Sequence, residues 1–180
     1  LATLAIPFTF GLLAAACGGS SPSAPSTPPT TLPARSSIAV AQNGTALLGI
    51  SPSALHVFRL RVPFRVTESG GLGARMNFIR LQLFRGGIEL ERAELGAVQI
   101  EQGLGSNVIR ASQTTTFSAN FDFNSSTFEF FRMTFSFTDD RGNALTAEIS
   151  RLTDVQVFPG LLAMVPEGQG FRLLLAPGAH

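Results

Sequence analysis

The chain contains no lysine, no tyrosine and no tryptophan, a single cysteine and only two histidines. Each shortage narrows the chemistry. Without lysine there is neither a Ser-x-x-Lys nucleophile pair nor a P-loop, so Gly70-Gly71-Leu72-Gly73 has no following Lys-Ser/Thr and is not a phosphate cradle. Tyrosine and tryptophan are the amphipathic rings that most often supply sugar platforms and protein hot spots, and their absence counts against both. A lone cysteine, Cys17, forms no internal disulfide. The histidines are His56, beside an expected strand start, and the last residue, His180, and no Ser-His-acid or Cys-His constellation can be assembled around either. The net charge is only +1, too small for a field that would draw the whole molecule to nucleic acid or to an anionic membrane.

What is present is apolar and rich in arginine. Hydrophobic residues make up 44% of 180 positions, enough for the core of one domain, and sixteen of them are phenylalanine. All thirteen basic residues are arginine, a bias that GC-rich coding explains without any demand for guanidinium chemistry.

Residues 1–16, L-A-T-L-A-I-P-F-T-F-G-L-L-A-A-A, carry no charge. With Pro7 and Gly11 inside, they are short of the ~20 residues a membrane span needs but match the apolar region of an export signal. The chain opens on Leu1, and the basic segment that normally precedes such a region is expected upstream. The run closes with Leu13-Ala14-Ala15-Ala16-Cys17-Gly18. This resembles the lipobox of bacterial lipoproteins, with the leucine four rather than three residues before the cysteine. The resemblance implies lipidation of Cys17, a lipid-anchored protein of the cell envelope and, because Gly18 rather than aspartate follows, sorting to the outer membrane, facing the periplasm or the exterior. Ala14-x-Ala16 also fits ordinary secretion, which leaves a secreted protein as the second reading. Residues 17–36 continue as a Ser/Thr/Pro-rich stretch, read as an extended tether.

From 37 to 158 the hydrophobic period is two. Phe58, Leu60, Val62, Phe64 and Val66 alternate with Arg59, Arg61, Pro63 and Arg65, and similar faces recur at Phe117 to Phe123 and at Phe131 to Phe137. Gly86-Gly87 predicts a tight hairpin, while Asn124 to Thr127 and Asp139 to Asn143 predict two further reversals. No segment shows helical spacing over three turns. The pattern predicts seven to nine strands in an all-β, antiparallel sandwich rather than a barrel. The pair F-F-R-M-T-F-S-F-T-D-D-R-G-N-A-L-T-A-E-I-S resembles the closing hairpin of bacterial immunoglobulin-like domains, which implies an immunoglobulin-like sandwich with a binding or structural, non-enzymatic role. Residues 159–180 are apolar but broken by Pro166, Gly168, Gly170 and Pro177, and read as a tail with one added strand at Phe171 to Leu175.

Candidate sites are few. Arg59, Arg61 and Arg65 share one strand face, either as a possible anion-binding row or as a solvated edge, since Pro63 between them predicts an edge strand. Asp139, Asp140 and Asn143 offer oxygens in one turn but lack EF-hand spacing, so a plain turn is expected and no metal is assigned. Glu89 and Glu91 are expected side by side in water, solubilising a hairpin. No cofactor motif is present. The sequence therefore predicts a non-catalytic binding or structural module, its partners a membrane through the N-terminal lipid and a protein or envelope polymer. The alternatives are a carrier or chaperone holding an apolar ligand between the sheets, and a secreted enzyme whose site the sequence does not reveal.

Overall fold

The structure, a computed structural model, describes residues 35–158 and 160–176. The expected export signal, Cys17, most of the expected tether and His180 lie outside the described residues. The strands are β1 (Ile38–Gln42), β2 (Ala46–Ile50), β3 (Phe58–Glu68), β4 (Ala74–Arg85), β5 (Ile88–Gly96), β6 (Val108–Ile109), β7 (Thr114–Phe123), β8 (Thr127–Phe128), β9 (Phe130–Asp139), β10 (Ala144–Ile149), β11 (Val155–Val157), β12 (Leu162–Glu167) and β13 (Gly170–Leu175). One helix, α1 (Ala97–Leu104), lies between β5 and β6.

Two sheets pack face to face. In the first, β3 pairs along one edge with β7 and along the other with β2 and then β1, and β11 joins β2. In the second, β4 lies between β9 and the β5 and β6 strands, with β10 outside β9. All these pairings are antiparallel except β11 with β2. The period-two faces meet in the middle: Phe64 of β3 lies 5.1 Å, centroid to centroid, from Phe135 of β9, and Phe123 of β7 lies 5.8 Å from Phe131. Leu60, Val62, Phe64, Leu81, Met133, Phe135 and Phe137 are all fully buried. At about 1.5–3 kcal/mol for each such side chain, this interface is the main driving force of the fold.

Turn chemistry sets the hairpins. Gly86 and Gly87 have φ of +58° and +77°, the left-handed backbone that a two-residue turn needs and that glycine adopts without strain. Asp139 closes the β9–β10 hairpin by accepting the N–H groups of Arg141 and Asn143. Asn124 to Thr127, expected as a reversal, lies where the chain leaves one sheet for another: β7 belongs to the first sheet, Thr127 of β8 already pairs with Arg172, and β9 belongs to the second. The flanking strands β7 and β9 do not pair with each other.

Helix α1 is eight residues long and buries only Ile100, so it has too few turns to announce itself by periodicity. Gln99 Oε1 accepts the Gly96 N–H at 2.7 Å at its start, and Gly105, at φ +79°, ends it.

The ends of the domain differ from expectation. Ser36 is buried and hydrogen-bonded to Glu68 and Asp139, so the packed domain begins inside the expected tether. Residues 162–175 form a full hairpin, β12 with β13, and β13 also pairs with β8 to make a third small sheet. Pro166 sits within β12, whose other edge has no strand partner among the described residues, so its missing N–H costs nothing. Leu162 and Leu173 join the core, which makes this segment part of the domain.

Candidate functional site

The arginine row lies on the outer face of the first sheet, but its strand is central. Pro63 was expected to mark an edge, and the register shows why it does not. Strand β1 pairs with β3 only from Phe64 onward and β2 only up to Arg61. Pro63 falls at the gap between them, where the chain passes from β1 to β2, and the Asn43 N–H donates to the Pro63 carbonyl at 3.0 Å. A residue's N–H and C=O point to the same side of a strand, so the missing donor faces this gap and no ladder bond is lost.

The three guanidinium groups are not equivalent. Arg59 donates from Nε and Nη2 to the two oxygens of Asp122, opposite it on β7, at 2.7 and 2.8 Å. Asp122 also accepts the Ser51 hydroxyl at 2.9 Å. The Arg59 hydrogen bond holds the Asp122 carboxyl below its ordinary range against the opposing effect of burial, and the same bond raises Arg59. Arg61 donates from Nε to Ser118 Oγ at 2.9 Å and has no carboxylate within ion-pair distance among the described residues. Arg65 is exposed between Ala41 and Thr116. The row thus contains one neutralised, one oriented and one solvated cation.

Arg61 stands between two depressions. On one side is a groove of about 310 Å³ with apolar walls from Leu47, Ile50, Phe158 and Leu161, rimmed by Arg59, Arg61 and Asn120. On the other is a wider, polar hollow of about 690 Å³, bordered by Asn43, Thr116 and Ser118 and again by Arg61 and Asn120. Phe158 is 51% exposed and Leu161 41%, unusual for residues placed so firmly: the Phe158 N–H donates to the Leu48 carbonyl at 2.9 Å, continuing β11 past its end. Gly49 contributes only backbone to the floor, and a methyl group there would meet the Phe158 ring at 3.8 Å, an ordinary contact.

The other sequence candidates are occupied structurally. His56 is half-buried, with its Nδ1 3.5 Å from Ser53 Oγ. Glu89 and Glu91 do not act as a pair: a β-bulge interrupts their register, Glu89 engages Gln82 and Arg92, and Glu91 accepts the backbone N–H groups of Asn124 and Ser125. Both Asp139 oxygens accept from Asn143, with Ser36 and Arg141 as further donors, and its carboxyl is brought down to about 2 against the effect of burial. Asp140 donates its N–H to the carbonyl of Gly73, just before β4, at 3.0 Å.

Sequence reasoning missed Glu68. It is 1% exposed and accepts five donors: the N–H groups of Ser37, Gly70, Gly71 and Ser112 and the hydroxyl of Ser36. The Gly70-Gly71 loop does cradle an anion, the chain's own carboxylate. Burial works to raise this carboxyl, and the Ser112, Ser37, Ser36 and Gly70 donors outweigh it and bring it down to about 2. The signal was available, because Glu68 continues the inward row of β3 and Asp139 that of β9. It missed, too, a groove of about 360 Å³ walled by Phe128, Phe131, Met164 and Phe171, with Arg151 at its rim.

No family model matches the chain, and no curated protein matches it in sequence. Among solved structures it is similar to a structural-genomics target designated SoR45, at 11% identity over 74% of this chain and 93% of that one, with a TM-score of 0.43. It is also similar to a protein described as ApaA of Bordetella pertussis, at 12% identity over 80% and 95%, with a TM-score of 0.40. A third, the sporulation control protein Spo0M of Bacillus subtilis, aligns at 9% identity over 67% of this chain and 50% of that one, with a TM-score of 0.37.

Proposed function

We propose that the chain is an exported envelope protein, anchored in the outer membrane through a lipid on Cys17, whose immunoglobulin-like sandwich is a non-catalytic binding module. The L-A-A-A-C-G segment and the Ser/Thr/Pro-rich stretch after it support export and anchoring. The observation that carries the binding role is the contrast between the two sides of the first sheet. Its inner face is filled by Leu60, Val62, Phe64 and Phe121, at 0–1% exposure, whereas its outer face presents a groove beside an uncompensated arginine. A ligand held between the sheets would have to displace these packed rings; one on the outer face displaces only water.

The test is to express the protein in a bacterium with a complete signal region and labelled palmitate. Wild type is expected to incorporate label and partition into detergent, and Cys17→Ser to do neither. An unlabelled, freely soluble wild type would replace anchoring by simple secretion.

A further inference from the structure

We propose that the trough on the outer face of the first sheet binds one molecule of an anionic amphiphile: its charged group on Arg61, its apolar part over Phe158 and Leu161, and a hydroxylated head toward Ser118 and Thr116. The proposal rests on the binding-module reading and names its ligand class.

Arg61 sets the charge. Arg59 is neutralised by Asp122, which leaves Arg61 as the cation at the groove without a carboxylate among the described residues. Its Nε is held by Ser118 Oγ, so the guanidinium is oriented while its terminal nitrogens remain available to a phosphate or carboxylate. Ser118 Oγ accepts in that bond, and its hydroxyl proton is left free to donate to the same anion. Asn120, exposed and opposite Arg61 on β7, adds an amide within the same patch.

The two depressions that share Arg61 and Asn120 differ in chemistry, and this argues for an amphiphile rather than a polyanion. One side is walled by Phe158, Leu161 and Leu47, which a polymer of regular charges would leave unused. The other offers Asn43, Thr116 and Ser118, hydrogen-bonding groups suited to hydroxyls. The charge row is also interrupted: with Arg59 paired and Pro63 between, Arg61 and Arg65 lie about 13 Å apart along the strand, too far to hold one anionic group together. At about 310 Å³ the apolar half reaches the ~300 Å³ lower bound of small-molecule sites.

The experiment titrates the full chain carrying Cys17→Ser with dihexanoyl-phosphatidylglycerol below its micelle concentration, followed by 15N NMR that includes arginine Nε–H and asparagine side-chain signals. Saturable binding is expected, with shifts at Arg61 Nε, the Asn120 amide, Gly49 and Phe158. Arg61→Gln should weaken it at least tenfold and Phe158→Ala at least fivefold, with Arg65→Gln within twofold of wild type. Gly49→Leu, which fills the groove from the floor, should abolish binding while the circular dichroism spectrum stays that of the wild type. Inorganic phosphate and the zwitterionic dihexanoyl-phosphatidylcholine should each bind at least tenfold more weakly. Equal affinity for either control would overturn the proposal. So would shifts confined to Met164 and Phe171, no saturable binding, or binding to phosphatidylglycerol vesicles without binding to the monomer, which would mean a membrane-surface contact. Equal affinity for a control, or shifts confined to Met164 and Phe171, would refute this site and ligand while leaving a binding module, whereas the absence of saturable binding to any of the three probes would count against the binding-module reading itself.

Discussion

Replacing Glu68 by glutamine keeps the shape of the side chain and removes half of its accepting capacity. Oε1 accepts from Gly70 at 2.7 Å, Ser37 at 3.1 Å and the Ser36 hydroxyl at 3.0 Å, and Oε2 from Gly71 at 3.0 Å and Ser112 at 2.7 Å. In either amide orientation an NH2 group would face at least two N–H donors. Two charge-assisted hydrogen bonds at about 1.5–3 kcal/mol each are lost, so Glu68→Gln should destabilise the domain by about 3–6 kcal/mol near neutral pH. The pH dependence is the sharper prediction. The folded-state value is depressed from 4.5 to about 2, so the carboxylate's contribution is fully present above about pH 4.5 and is lost as pH falls through about 2. With no tryptophan or tyrosine to report unfolding, urea denaturation is followed by far-ultraviolet circular dichroism at a series of pH values. The difference between wild type and Glu68→Gln should be constant above pH 5 and narrow steadily toward pH 2. A difference below 1 kcal/mol at pH 7, or one that does not change with pH, would refute the account of Glu68 as an ionised, buried anchor.

Phe135 is fully buried against Phe64, and Phe135→Ala should cost about 3–5 kcal/mol, while Ser136→Ala on the outward face should cost well under 1 kcal/mol; similar small effects in chemical denaturation would mean the strand faces are misassigned. Because β3 is paired on both edges, replacing Arg59, Arg61 and Arg65 together by glutamine should leave self-association unchanged in sedimentation velocity, and new oligomers would restore an edge-protecting role for the row. Gly87→Ala, at φ +77°, should lower stability by about 1 kcal/mol through strain in the β4–β5 turn, measured by thermal melting.

The sandwich was legible because the phenylalanine-rich runs at Phe58 to Val66, Phe117 to Phe123 and Phe131 to Phe137 obey the period of a strand, and because glycine and Asp/Asn turns interrupt them at hairpin spacing. What escaped was whatever depends on partners distant in sequence. Pro63 reads as an edge residue on any local rule, and only the break between β1 and β2 opposite it makes a central position tolerable. The arginine row reads as uniform until Asp122 is placed across from Arg59, 63 residues away. Asn124 to Thr127 carries turn chemistry but not the information that β7 and β9 belong to different sheets. The C-terminal hairpin was half visible: one added strand at Phe171 to Leu175 was expected, but β12 was hidden by Pro166 and by a mixed exposure pattern. Gly170 explains its docking, since any side chain there would lie 2.3 Å from the Phe128 carbonyl oxygen. The groove itself could not be read in advance, as Leu47, Phe158 and Arg61 come from three strands or their ends.

The most direct test of a filled sandwich that binds on its outer face is the structure of the chain in complex with dihexanoyl-phosphatidylglycerol. The account predicts the phosphate within hydrogen-bond distance of the Arg61 guanidinium, an acyl chain along Phe158 and Leu161, and the Phe64–Phe135 contact undisturbed. An acyl chain inserted between the sheets, with those rings displaced, would contradict it.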